Sequence, residues 1–324
     1  MRKTLLLLMA LVFSIGAFRF FSQENKGPVQ TADETLAPVE TQPKEIPSPQ
    51  KKTPIKTTPK QSKAQLSKKV IPARDQSQVL ETLESRHLAN TDEAGVIYPT
   101  SLTVDGEHVV AYGDLIVGHS RFVEDYQNGE KQITLPPPQT WPQGIIPYRT
   151  QGITTEQERA IESIARVLED EANIKLIPYT SGMKAWVTFK QGSEHCYAQV
   201  GYAEGERAVS LNEKCNYEAI FHEIFHVLGF YHEQNRFDRD EYLQIIWENI
   251  DEQHWPQFEK FSKRSYPKAL QETEFTTQSF MLYPPTTFSN SQDYSIVQRD
   301  GTPYQSPVSP SPVDFERLRL LYRP

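Results

Sequence analysis

Near the middle of the chain runs His222-Glu-Ile-Phe-His226-Val-Leu-Gly229-Phe-Tyr-His232, and no other stretch so narrows what the chain can fold into. His222 and His226 are four residues apart, so on a helix they project from one face, where two imidazoles can share one ion. Glu223 follows the first histidine directly. It lies near the metal but outside the ligand pair, placed to take a proton from metal-bound water. A catalytic zinc site needs a third protein ligand and keeps a fourth position open for water. Gly229 can adopt a positive φ and break the helix, so that the chain turns back and delivers His232. The run uses three of the eight histidines. Three ordinary histidines around an amphipathic helix would have no need of Glu223 and Gly229 at these offsets. The expected cofactor is therefore one zinc ion per chain. Ile224, Phe225, Val227 and Leu228 read as core.

The flanks supply a frame. Gly144-Ile-Ile-Pro-Tyr148 predicts a strand. Thr155 with Glu158 three residues on predicts a capping box, and Ile161, Ile164, Ala165 and Leu168 form a helical stripe behind it. Residues 175–179, 185–190 and 207–211 are strand-like. Asn216 caps a helix expected over 217–228, which Gly229 ends. About fifty residues further on stands Ser279-Phe-Met281-Leu-Tyr283. In proteases with the extended histidine motif, a tight turn bearing Met sits beneath the metal. Tyr283 can then bring its hydroxyl to the zinc and to the oxyanion of the reaction.

The rest of the chain is organised differently. Arg2, Lys3 and Thr4 precede a mostly apolar run over 5–17, the pattern of an export signal ending near residue 22, with an uncleaved anchor reaching Phe21 as the alternative. Residues 23–75 are rich in Pro, Lys and Thr and lack the apolar surface to order themselves, so they read as a linker. Residues 76–131 hold a helical stretch at 76–87 and extended pieces at 96–98, 102–104 and 108–117. They are too few to bury a core alone and are expected to dock on something else. The globular pattern then runs over 132–324. The net charge of -8 belongs wholly to that last part, which holds 18 of the 34 basic and 26 of the 42 acidic residues. An acidic folded part argues against nucleic acid as a partner. Cys196 and Cys215 are the two cysteines. In an exported chain they form one disulfide, and in a cytosolic one they would stay two buried thiols.

At these residues the chain resembles the astacin family of metzincin zinc proteases. The likeness continues past the histidines through Glu233-Gln-Asn-Arg236-Phe-Asp238-Arg239-Asp240-Glu-Tyr242, Ile246-Trp-Glu-Asn249-Ile250 and Phe258-Glu-Lys. It takes in Trp141 to Tyr148, Ser210-Leu-Asn with Cys196 and Cys215, and the closing stretch from Asp314 to Tyr322. The resemblance implies an α+β, metzincin fold with two lobes flanking an active-site cleft: a mixed, twisted sheet with long helices in the N-terminal lobe, and a more irregular C-terminal lobe carrying the Met281 turn. It implies that Tyr283 is a movable fifth zinc ligand and that Glu233 meets the buried amino terminus of the mature enzyme. The chain departs from the family pattern in places. Cysteines are present for one of its usual two disulfides, which removes a tie between the ends of the domain. Leu282 stands where His is common, and Gln257 where Asn is usual. Val110-Ala111-Tyr112-Gly113-Asp114 is similar to the zymogen motif Phe-x-Gly-Asp, with Ala111 in the Phe position. The resemblance makes Asp114 the candidate that holds zinc in place of water. Cleavage is then expected between Asp114 and Trp141, with Lys131 an attractive site. The sequence thus reads as the latent precursor of an exported zinc endopeptidase, with protein or peptide substrates and an activating protease as partners.

Overall fold

The computed structural model describes residues 87–323 apart from 193 and 292. The apolar N-terminus, the linker and the helical stretch up to residue 86 lie outside the described residues. None of the described helices is long and apolar enough to cross a membrane.

The described chain opens with a small antiparallel pair, β1 (Asn90–Thr91) and β2 (Ile97–Tyr98), followed by β3 (Thr103–Asp105), β4 (His108–Ala111), β5 (Leu115–His119) and the short helix α1 (Val123–Gln127). Then come β6 (Ile145–Gln151), helix α2 (Thr155–Ala172), β7 (Lys175–Pro178), β8 (Ala185–Gln191), β9 (Tyr197–Ala198), β10 (Gly205–Leu211) and helix α3 (Tyr217–Val227). One eight-stranded sheet runs in the order β3-β4-β5-β9-β10-β8-β6-β7. Its far half, β7, β6, β8 and β10, is parallel, and α2 makes the crossover from β6 to β7. β9 pairs antiparallel to β10. β5 then adds parallel to β9, with Leu115 opposite Ala198, and β4 and β3 extend the sheet as antiparallel neighbours. The segment too small to fold alone therefore completes its hydrogen bonding on the edge of the larger sheet.

The helices pack as their apolar stripes require. On α2, Ile161, Ile164 and Leu168 are fully buried, each contributing about 1.5–3 kcal/mol relative to exposure. Its cap sits one residue earlier than the sequence suggests. Thr154 is extended and its hydroxyl accepts from the Gln157 N–H, while the Gln157 side chain reaches back to the Thr154 N–H. Gln157 fulfils the third position of a capping box as well as Glu158 would. Asn216 caps α3 by accepting from the Ala219 N–H at 3.0 Å. Cys196 and Cys215 are bonded, with Cα atoms 6.1 Å apart, which ties the approach to β9 to the residue before that cap.

The C-terminal lobe has little regular structure: β11 (Leu243–Ile245) pairs with β12 (Ile296–Gln298), and the short helix α4 (Lys268–Gln271) and the closing helix α5 (Pro312–Leu321) complete it. Its tight turn at 279–281 hangs on Asp314 from the first turn of α5. Asp314 accepts from the Ser279 hydroxyl and the Phe280 N–H, both at 3.0 Å, and from the N–H and hydroxyl of its own cap, Ser311, both at 2.8 Å. Met281 is buried in the same core as Ile224 and Phe225 of α3.

Candidate metal centre

Helix α3 sets two of the imidazoles. Its last turn leaves carbonyls without helical partners, and distant side chains satisfy them: Trp141 Nε1 donates to the Val227 carbonyl at 2.9 Å, and the Tyr322 hydroxyl donates to that of Leu228 at 3.0 Å. Gly229 follows with φ of 102°. A side chain there would be strained, and its Cβ would stand 3.4 Å from that of Pro138. The chain reverses at this point. Nδ1 of His226 lies 2.7 Å from the Phe230 carbonyl, a contact that fixes the ring and turns Nε2 toward the centre. His232 arrives from the far side of the bend, fully buried, with Nε2 at 3.2 Å from Nε2 of His222.

The fourth member is Asp114. Its carboxylate faces all three rings, at 3.4 Å from His222 Nε2 and 3.2 Å from both His226 Nε2 and His232 Nε2. One ligand atom from each of the four residues lies within 4.8 Å of the others. His226 Nε2 is buried without a hydrogen-bond partner, although buried polar atoms nearly always have one. Three imidazole nitrogens and a carboxylate oxygen are four donors of the kind zinc takes, so the residues fit the ion. Electrostatics agree. Burial holds His232 down to about 4, which leaves a neutral ring with a lone pair to give. Burial opposes the charge on Asp114, but the attraction of His232 and His226 when they carry a proton, with hydrogen bonds from His222 and His226, outweighs it and holds that carboxyl well below its usual range.

Asp114 reaches the centre because the expected extended run at 108–117 is in fact two strands. Residues 112–114 form the tip of the β4–β5 hairpin, with Tyr112 at φ 50° and Gly113 at φ 92°. Any Cβ on Gly113 would fall 2.1 Å from the Tyr283 hydroxyl oxygen, so the turn needs glycine for space as well as for backbone. That phenol donates to the Tyr112 carbonyl at 3.0 Å. The Tyr283 backbone N–H is held by Gln234 Oε1 at 3.2 Å, and the ring lies 4.5 Å from that of His232. The Ala198 N–H of β9 donates to the Asp114 carbonyl at 3.0 Å.

Glu223 is 2% exposed, and its Oε2 has no partner. Burial first, and then the charge of Asp114, push its carboxyl well above the usual range. Burial and the nearby negative groups likewise raise Tyr283 far above an ordinary phenol and keep it a donor. The mature amino terminus that the resemblance implies for Glu233 does not exist in the uncut chain. In the intact chain both its oxygens are held by Arg317 of α5, each at 2.9 Å, and it also accepts from the Thr276 N–H. Sequence reading passed over Arg317, Tyr112 and Glu259, whose carboxylate meets Tyr112 from the opposite wall. A cation within a buried helix stripe and an aromatic beside a turn glycine were the available signals.

Comparison with known proteins agrees with this geometry. The sequence model for the Astacin peptidase family matches residues 134–323. Zinc metalloproteinase nas-8 of Caenorhabditis elegans is 31% identical over 192 residues, covering 56% of this chain and 46% of its own length. Blastula protease 10 of Paracentrotus lividus is 30% identical over 213 residues, covering 62% of this chain and 35% of its own. This chain thus spans less than half the length of these two curated relatives. Among solved structures, high choriolytic enzyme 1, a hatching-enzyme zinc protease of Oryzias latipes, superposes with a TM-score of 0.51 at 26% identity, over 57% of this chain and 93% of its own.

Proposed function

This chain belongs to the astacin family of zinc metallopeptidases, and on that premise we propose that it is an endopeptidase made as a latent precursor, which hydrolyses peptide bonds of proteins once residues 76–131 are cut away. The observation that carries the reading is the convergence of His222, His226, His232 and Asp114 on one point. Three imidazoles would hold the ion, and the carboxylate would take the position that water needs. When bound, zinc supplies a Lewis acid that polarises the scissile carbonyl and lowers the pKa of water.

The chain's own residues do the rest. With Asp114 gone, Glu223 loses the neighbouring negative charge and becomes the base that takes the water proton and hands it to the leaving amine. Tyr283, released from the Tyr112 carbonyl, donates to the substrate carbonyl oxygen as charge builds on it. The Ala198 N–H, freed from Asp114, offers an extended substrate a backbone bond at the sheet edge. Met281 and the Asp314-held turn support the floor of the site. Residues 127–132 are exposed, and Lys131 among them gives a trypsin-like activating protease access. Export fits the apolar N-terminal run and the Cys196–Cys215 bond.

The test is direct. The full chain is purified and assayed on a peptide library before and after limited trypsin, with and without a zinc chelator. Activity that appears on trimming and vanishes with chelator is expected. A trimmed, zinc-loaded chain that cuts no peptide would reject the reading.

A further inference from the structure

Tyr112 is buried to 2% although it stands at the tip of a two-strand hairpin. Its ring meets Phe261 edge-on at 4.7 Å, Phe261 meets Tyr231 at 5.1 Å, and Tyr231 meets Tyr266 at 5.7 Å. The far end of the slot is polar. The Tyr112 hydroxyl donates to Glu259 Oε2 at 3.3 Å, and the Thr100 hydroxyl donates to Oε1 at 2.9 Å. With those two residues in place Glu259 is 6% exposed. The walls Val200, Tyr231, Glu259, Phe261 and Tyr266 all lie within the family match at 134–323, whereas Tyr112 and Thr100 lie before it. Tyr231 is next to His232, and Val200 is two residues past β9, so the slot opens beside the metal centre.

From this arrangement we infer that the Glu259 slot is a side-chain specificity pocket for tyrosine, occupied in the intact chain by Tyr112 and offered to the substrate after trimming. The inference rests on the peptidase reading above and deepens it. Tyr112 is also the residue whose carbonyl accepts from the Tyr283 hydroxyl. A substrate that presents its carbonyl to the same phenol brings its own side chain, or that of a neighbour, to the same opening. The chemistry of the slot selects among side chains. Its rings accept a flat aromatic body. Its buried carboxylate must receive a donor or bear the cost of isolation. In the intact chain burial lifts Glu259 to about 6, so above that pH it is ionised there and only accepts from the two hydroxyls. Tyrosine supplies ring and donor together. Phenylalanine fills the space and leaves the carboxylate unpaired, the situation in which a site built for a hydroxyl discriminates most strongly.

Two measurements test the pocket. In the first, the full chain is trimmed with trypsin and given peptides varied at the two residues on either side of the cleaved bond. At one of those positions Tyr should be cut about tenfold or more faster than Phe, and Glu259→Leu should bring that ratio to one or below. Indifference between Tyr and Phe at every position, a preference for Arg or Lys over Tyr, or a ratio unmoved by Glu259→Leu would overturn the inference. Chelator-sensitive digestion of unfolded casein in the same tubes keeps the peptidase reading separate. The second measurement needs no turnover and no variant protein. A synthetic peptide of residues 108–119 is titrated onto the trimmed chain beside the same peptide carrying Tyr112→Phe. Binding about tenfold weaker for the Phe peptide is expected, because an O–H bond to a carboxylate is among the stronger hydrogen bonds. Equal affinity overturns the pocket. Discrimination between the peptides by a chain that cuts nothing would uphold the pocket and reject the peptidase.

Discussion

Glu223 touches no protein donor through Oε2 and stands one residue from a ligand. A side chain so placed is costly for stability, and its benefit is expected in the reaction. Replacing it with Gln keeps the shape and removes the base. Glu223→Gln should bind zinc as the parent does and lose about a thousandfold or more of the trimmed enzyme's turnover. Zinc content and initial rates measured together decide this, and a mutant as fast as the parent would dismiss Glu223 as the base. The ligands behave differently. His222→Ala, His226→Ala or His232→Ala should each lower zinc well below one per chain, since a three-ligand site has none to spare. Full occupancy and activity in the His232 variant would show that the third ligand lies elsewhere. At this scale the sequence was most legible where partners are close in number. His222, Glu223 and His226 follow from helix geometry, and Gly229 and His232 from the bend that ends the helix. Arg317 lies 84 residues from Glu233, and Glu259 lies 147 from Tyr112, and no local spacing encodes such pairings.

On the proposed reading the β4–β5 hairpin acts as a plug. Its strands join the sheet through β9, and its tip carries Asp114 to the imidazoles. Asp114→Ala should therefore leave the hairpin paired and open a ligand position, so that the uncut precursor hydrolyses peptides or processes itself. Activity with intact mass verified is the readout. A silent mutant that becomes active on trimming would move the inhibitory role to the rest of 76–131. The turn at 279–281 depends on a second element, α5, through Asp314. Asp314→Ala removes four acceptor contacts and a helix cap together. A loss of about 3 kcal/mol is expected, seen as a fall of roughly 10 °C in the thermal midpoint of the zinc-loaded chain. An unchanged midpoint would mean that the turn holds itself. The sequence foretold most elements here and misplaced others for identifiable reasons. Thr154 competes with Thr155 for the same cap, and an apolar run over 108–117 conceals the turn that Gly113 makes.

Across the whole molecule, the expected loss of one family disulfide raises the question of what holds the ends together. The remaining bond, Cys196–Cys215, joins parts of one lobe. After export to an oxidising compartment, the denatured and unreduced protein should show no free thiol by alkylation and mass. Labelling of both cysteines would rule out the bond. The two ends are tied instead through α3, where Trp141 and Tyr322 each hold a carbonyl at its last turn. The helix that carries two of the histidines is thus clamped at one tip from near both ends of the family match at 134–323. Loss of the Tyr322 hydroxyl would then loosen the ligand-bearing helix from outside the metal centre, and faster zinc release from a Tyr322→Phe variant would register the slackened grip.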